Sequence, residues 1–499
     1  MDYFIGVDLG TSAVKAMLVS EQGEVSDEVS KPLSLMQPQN GFSEQNPEEW
    51  AEQTTRALKE LVERFPYDAE HIKGLSFSGQ MHSLVLLDKQ NNVLRNAILW
   101  NDTRTTAQCR EIEDVLGKER LLDITKNPAV EGVTLSKMLW VKEHEPDTWE
   151  QAATFLLPKD YVRYKLTGRI HMDYSDAAGT LLLDIVERTW SRDMCEAFAI
   201  DPSFCPPLLE STAPVGPVTE EISQRTGLSR ETEVIAGGAD NACGAVGSGI
   251  LQEGRTLCSV GTSGVVLSYE EDGSKDFGGS VHYFNHAAPD AYYAMGVTLS
   301  AGNSLRWFQD VFAPGESIGD LVEGVEDIPS GAGGLLFTPY LDGERTPHAD
   351  ADIRASFIGM DSSHGRKDLV RSVMEGITFS LKESVDIIRN HGREISSIVS
   401  IGGGAKNEAW LQMQADIFEA DVIKLKSEQG PGVGAAMLAA YGSGAFSSLQ
   451  ECSEVFLQVD RVFYPDEERR ETYRALYGLY KEVYEQTKAL NSRLQEFRT

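Results

Sequence analysis

The sequence predicts an α/β protein built from two similar domains that face each other across a cleft. Three observations predict it. TLCSVGTSGVVLSYEE, in mid-chain, repeats the pattern of YFIGVDLGTSAVKAMLVS at the start: a β-rich run, a Gly-Thr-Ser corner, a second β-rich run, with the two threonines 262 − 11 = 251 residues apart in a chain of 499. Residues 397–418 read as a strand (SIVSI), three glycines and a helix, the order in which backbone comes close to a nucleotide at a helix start. Length excludes one compact core and suggests two or three domains. Dividing the chain at the repeat gives residues 1–250 and 251–499.

Taken in order, residues 3–8 and 13–20 are strands joined by LGTS, and EQG turns the second into a third, EVSDEVS, giving an antiparallel meander. NPEEWAEQTTRALKELVERF follows as a helix. Asn46 caps it, Pro47 suits its first turn, and Trp50, Thr54, Ala57, Leu58, Leu61 and Val62 follow helical spacing. GLSFSGQMHSLVLLD gives strand, polar corner, strand, with Gln80 and His82 at the bend. AGGADNACGAVG, residues 236–247, sets Asp240 and Asn241 in a run of small residues. Such an acid is either a helix cap or a group facing a ligand that small neighbours allow to approach. DLVRSVMEGITFSLKESVDIIRN and EERRETYRALYGLYKEVYEQTKAL carry apolar or tyrosine residues at helical spacing and are packing helices.

Composition narrows the function. A net charge of −32 argues against nucleic acid or anionic lipid as the main partner, so any phosphate must be held locally. No apolar run approaches the length of a spanning helix and the opening residues lack a signal-peptide pattern, which predicts a cytoplasmic protein. The six cysteines have no metal-like spacing and read as reduced thiols. His282 and His286 have helical ligand spacing, but SVHYFNH is β-prone and reads as no metal site. One Gly-Thr-Ser is an ordinary turn. Two of them, each between β segments, could clamp a polyphosphate with backbone N–H groups and hydroxyls.

With DLGTSAVK, GQMH, WNDTR, SDAAGT, GGADNA, SVGTSG, YLDGERTPH and IGGGAKNEAW in this order, the chain resembles the carbohydrate kinases of the FGGY family from about residue 3 to about residue 440. GQMH with WNDTR is most similar to the xylulokinase branch. The resemblance implies the actin-like ATPase (ribonuclease H-like) fold, two α/β domains with a deep cleft, and ATP-dependent phosphorylation of D-xylulose. By position, it makes Asp240 the proton acceptor for the sugar hydroxyl and Asp8 the acid that acts on Mg²⁺ through water. It puts Gln80, Met81, His82, Asn101 and Asn241 at the sugar. Gly10, Thr11, Ser12, Gly261, Thr262 and Ser263 fall at the phosphates, and Gly403, Gly404 and Asn407 at the adenosine. A homodimer is a family-based expectation.

Ser83 and Ala239 depart from the commoner GQMHG and GGGDN and add atoms beside the sugar and before the base. Other readings stay open for single features. His82 alone could be a satisfied buried histidine, Trp100, Asn101, Asp102 and Arg104 a salt-bridged turn, Lys15 a solvated strand residue, and GERTPH a loop at the domain interface. The competing functions are an FGGY kinase for another ketose or polyol and a non-catalytic, sugar-responsive ATP-binding protein of actin-like architecture.

Overall fold

A computed structural model describes residues 1–426 and 430–498. Its framework is two seven-stranded sheets. In the first, Tyr3–Leu9 pairs antiparallel with Ala13–Ser20, which pairs antiparallel with Val25–Pro32; on its other edge Tyr3–Leu9 runs parallel to Ile72–Gly79. Glu233–Ile235 and Gly238–Ala239 then add in parallel to Ile72–Gly79. The second sheet repeats the plan. Arg255–Val260 pairs antiparallel with Gly264–Glu270, which pairs with Tyr292–Thr298, while Ser397–Gly402 lies parallel on the other edge. The register Leu9↔Val14 in one sheet and Val260↔Gly264 in the other puts the two Gly-Thr-Ser corners at matching strand ends.

The expected meander is therefore present, as is the expected helix, which runs Pro47–Arg64 with the Asn46 side chain accepting Glu48 N–H at 3.0 Å. The two long packing helices are Arg366–Asn390 and Glu467–Leu494.

One element joins the halves. Helix Gly430–Gly442, GPGVGAAMLAAYG, comes late in the chain but packs on Tyr3–Leu9, Ile72–Gly79 and helix Asp240–Val246 of the first sheet. It does so at van der Waals limits. A Cβ on Gly434 would lie 1.8 Å from the Cys243 carbonyl oxygen, and one on Gly6 would lie 1.9 Å from the Gly432 carbonyl oxygen. The small residues following Asp240 therefore serve helix packing: Ala242 through Val246 are buried against this helix. The sequence had suggested that they open space for a ligand.

Candidate active site

Asp240 is placed by the sheet. Gly238 and Ala239 pair in register with Ser78 and Gly79, and helix Asp240–Val246 begins at the next residue. The Asp240 Oδ1 accepts the Asn241 backbone N–H at 2.7 Å and the Asn241 side-chain amide at 3.1 Å. Burial, and then the charge of Asp8, push its carboxyl up to about 7. A helix start favours the anion, but here desolvation and a like charge outweigh one helix end.

Asp8 lies near the end of Tyr3–Leu9, in register with Lys15 and Ser78. Burial raises it most, the Ser78 hydroxyl and the Lys15 ammonium oppose, and Glu28 adds slightly. Two carboxylates close enough for one to hold a proton on the other form a place where a divalent cation would relieve the repulsion.

A cavity of about 230 Å³ opens beside Asp240. Met81, His82, Trp100 and Asn241 line it from the first half of the chain, and Ser263, His282 and Arg345 from the second. His82 has left-handed backbone, φ 66°, which turns the ring so that Nδ1 lies 2.7 Å from the Gly179 carbonyl oxygen. Burial, with Lys137 adding, pulls its pKa down to about 3, so the ring is neutral. A neutral imidazole facing a carbonyl through Nδ1 must donate there, which leaves Nε2 as the acceptor. Gly179 has to be glycine for this contact, since a Cβ would stand 2.6 Å from His82 Nδ1. The His82 carbonyl in turn accepts Thr134 Oγ1 at 3.0 Å and the buried Lys137 ammonium at 3.3 Å.

Two residues expected at the sugar lie outside the cavity lining. Gln80 is buried behind the first corner, where its amide donates to Gln45 Oε1 at 3.2 Å and its oxygen accepts the Thr11 hydroxyl at 3.3 Å. Asn101 is exposed, and its neighbour Trp100 lines the cavity in its stead, with the indole N–H on Thr11 Oγ1 at 3.0 Å. The rest of WNDTR is a salt-bridged turn. Arg104 pairs with Asp102 at 2.7 Å and Glu44 at 2.8 Å, and its guanidinium lies 3.6 Å from the Phe42 ring centre. Asn127, His282 and Arg345 were missed. Asn127 stands apart from every motif, Arg345 lies in GERTPH and His282 in SVHYFNH, and only tertiary structure brings the three to one cavity.

The two corners differ by one residue, four residues lying between the paired strands in the first and three in the second. Gly10 N–H donates to Ala13 O at 3.1 Å and Gly261 N–H to Ser263 O at 3.0 Å. Their carbonyls are already engaged: Thr11 O accepts Gln45 Nε2 at 2.7 Å, while Thr262 O accepts the N–H groups of Ala301 and Asn303, both at 3.0 Å. The hydroxyls of Ser12, Thr262 and Ser263 belong to exposed residues available to a ligand. Farther along the second sheet, Gly404 packs on Val260, where a Cβ would meet the valine Cβ at 2.8 Å. Gly403 opens a short 3-10 turn, and Asn407 caps helix Glu408–Phe418 by accepting Trp410 N–H at 2.9 Å.

Behind Asp240 lies a fully buried ion cluster. Lys159 Nζ is 2.7 Å from Asp160, 2.5 Å from Asp173 and 2.9 Å from Asp176, and Arg163 is 2.9 Å from Asp160. The three acids enclose an ammonium, so the cation among them is the chain's own. Two links run from the cluster to the Asp240 loop. Arg163 donates to the Ala236 carbonyl at 2.7 Å, and the Ser175 hydroxyl, itself donating to Asp173, accepts Ala239 N–H at 2.9 Å.

Residues 3–247 match the model of the FGGY family of carbohydrate kinases, N-terminal domain, and residues 256–443 that of the C-terminal domain. A xylulose kinase of Bacillus subtilis (strain 168) is 58% identical over 498 residues, covering 100% of both chains. Among solved structures, a ligand-bound xylulose kinase from Lactobacillus acidophilus superposes with a TM-score of 0.93 at 27% identity, covering 99% of this chain and 100% of that one. A gluconate kinase from the same organism gives the same TM-score and identity, covering 99% of each chain.

Proposed function

The chain belongs to the FGGY family of carbohydrate kinases, and on that premise we propose that it transfers the γ-phosphoryl group of ATP to the C5 hydroxyl of D-xylulose, giving D-xylulose 5-phosphate in cytoplasmic pentose catabolism. The observation that carries the reading is Asp240. It is an acid with a pKa near neutrality, at a cavity lined by a neutral histidine and an asparagine on one side and by Ser263 of the second corner on the other.

Phosphoryl transfer asks for alignment and charge stabilisation more than covalent chemistry. Asp240 accepts the proton of the attacking hydroxyl, within reach of Asn241, which orients the carboxylate. His82 Nε2 accepts a hydrogen bond from a sugar hydroxyl. Thr11, Ser12, Thr262 and Ser263 hold phosphate oxygens between the sheets, with Gly10 and Gly261 forming the turns, and Gly403, Gly404 and Asn407 border the adenosine. The Asp8 carboxylate suits Mg²⁺ carried by the nucleotide, held through water, and when bound the ion neutralises phosphate charge. Among the described residues no helix is long and apolar enough to cross a membrane, in keeping with the cytoplasmic reading.

A coupled ADP-release assay across pentuloses, glycerol and gluconate tests the substrate. D-xylulose should give the highest kcat/KM, and equal or greater turnover of another acceptor would replace it. The gluconate kinase that superposes as well as the xylulose kinase makes gluconate the sharpest competitor. Asp240→Ala separates a kinase from a non-catalytic ATP-binding protein. Turnover should fall by about 10²–10⁴-fold while calorimetry still detects nucleotide binding.

A further inference from the structure

GERTPH brings one more charged side chain to the cavity. Asp240 and Arg345 are the only acid and the only lysine or arginine among its lining residues. Its two histidines carry no charge at neutral pH, because burial pulls His82 down to about 3 and His282 down to about 4. Arg345 is therefore the one cation facing the sugar space among the described residues.

Its position is fixed by its neighbours. On one side, Glu344 accepts Leu299 N–H at 3.0 Å through Oε1 and the Ser380 hydroxyl at 3.2 Å through Oε2. On the other, Thr346 donates its N–H to Val297 O at 3.0 Å and accepts Val297 N–H on Oγ1 at 3.1 Å. Thr346 is thus fastened to strand Tyr292–Thr298 and Glu344 to the residue that follows it, and Met295 and Val297 of that strand form part of the cavity wall. The Arg345 guanidinium makes no ion pair among the described residues, in a chain with 77 acidic against 45 basic side chains. An unpaired guanidinium that lines a ligand cavity from an anchored stretch of backbone has donors to offer.

We propose that Arg345 is a sugar-binding, specificity-determining residue supplied by the second half of the chain. It donates to the ketose oxygens remote from the phosphorylated hydroxyl, the C2 carbonyl and the C1 hydroxyl. This rests on the reading of the chain as a ketose kinase. The reacting hydroxyl must lie at Asp240, whose shift comes from burial and Asp8, whereas the Arg345 charge acts on His82 and His282. Arg345 also shares a wall with His282, since Thr346 is bonded to Val297 and His282 pairs with Met295 of the same strand. Its planar fork of N–H groups suits two adjacent oxygens, which a lysine point charge does not.

Steady-state kinetics of Arg345→Gln and Arg345→Lys with D-xylulose, 1-deoxy-D-xylulose and ATP test this. Turnover of D-xylulose by the unmodified enzyme is measured first, so a failure of the ketose reading is seen independently of the variants. The glutamine variant should raise the D-xylulose KM by about tenfold or more, the loss of a charge-assisted hydrogen bond. Lysine should recover part of this, and the KM for ATP should stay within about twofold of its original value, as uncoupled sites require. The penalty should shrink on 1-deoxy-D-xylulose, which lacks one of the two oxygens. An unchanged sugar KM, a loss confined to kcat or to the ATP KM, or an equal penalty on both sugars overturns the assignment. Arg345 is exposed, so both variants should keep the original melting temperature.

Discussion

Asp240 meets two demands that pull in opposite directions. A general base gains driving force as its pKa rises, yet only its ionised fraction can act. At about 7 the group sits near the balance point. Because the active form is the deprotonated one, kcat/KM should climb about tenfold per pH unit below 7 and level off above it. Asp8→Asn removes one of the two causes of the upward shift, so the rising limb in the residual activity should move to lower pH. A limb that stays in place would mean that Asp240 owes its shift to burial alone. At this scale the sequence revealed what lies in contiguous motifs: Asp240 with Asn241, Met81 with His82, Ser263 in its corner. Gln80 and Asn101 lie outside the cavity lining, because a motif fixes a stretch of chain but not which side chain of that stretch turns inward. Trp100 and Asn101 are adjacent and only one reaches the cavity. Asn127 had no local signal, whereas Arg345 lies in GERTPH and His282 in SVHYFNH, stretches that do not show which side chain faces a ligand.

Elements hold these residues through buried polar links. The Lys159 cluster would be costly in isolation, because buried charges repay their desolvation only when fully paired. Burial pushes Asp176 well above the usual carboxylate range, and the Lys159 ammonium opposes that shift. Ser175 connects this cluster to the residue before the base. Ser175→Ala leaves Ala239 N–H buried without a partner and should cost about 1–3 kcal/mol in denaturant unfolding. It should also lower kcat more than it raises the sugar KM, since it frees the Asp240 loop and touches no sugar. An unaltered kcat with reduced stability would restrict the cluster to folding. The strands of the meander were legible from alternation and turn residues, and the helix Pro47–Arg64 from its cap and stripe. Helix Gly430–Gly442 was not, because a helix buried all round has no polar face to give it a period.

At the scale of the molecule, a strand, a Gly-Thr-Ser corner and a second strand occur twice, and the proposed reaction would bring sugar and nucleotide together between the copies. The repeat made this architecture readable from two short corners. It could not show that the second half sends Gly430–Gly442 back onto the first sheet, since that crossing leaves no internal repeat. Two halves joined in this way can close on ligand without separating, and closure has to be tied to the sugar if water is not to take the phosphoryl group. Thr11 is the physical tie. Its hydroxyl donates to Gln80 and accepts from Trp100, which lines the cavity beside Asp240, while Thr11 itself belongs to the first Gly-Thr-Ser corner. On the proposed function, sugar that displaces or fixes the indole would therefore act on the corner assigned to the nucleotide. ADP release with D-xylulose should exceed that without sugar by orders of magnitude. Thr11→Val keeps the shape of the side chain but removes the hydroxyl, so the ratio of the two rates should fall while nucleotide affinity, followed by calorimetry, changes little. If the ratio is unchanged in the valine variant, the indole and the corner act independently and sugar dependence must arise from closure of the sheets themselves.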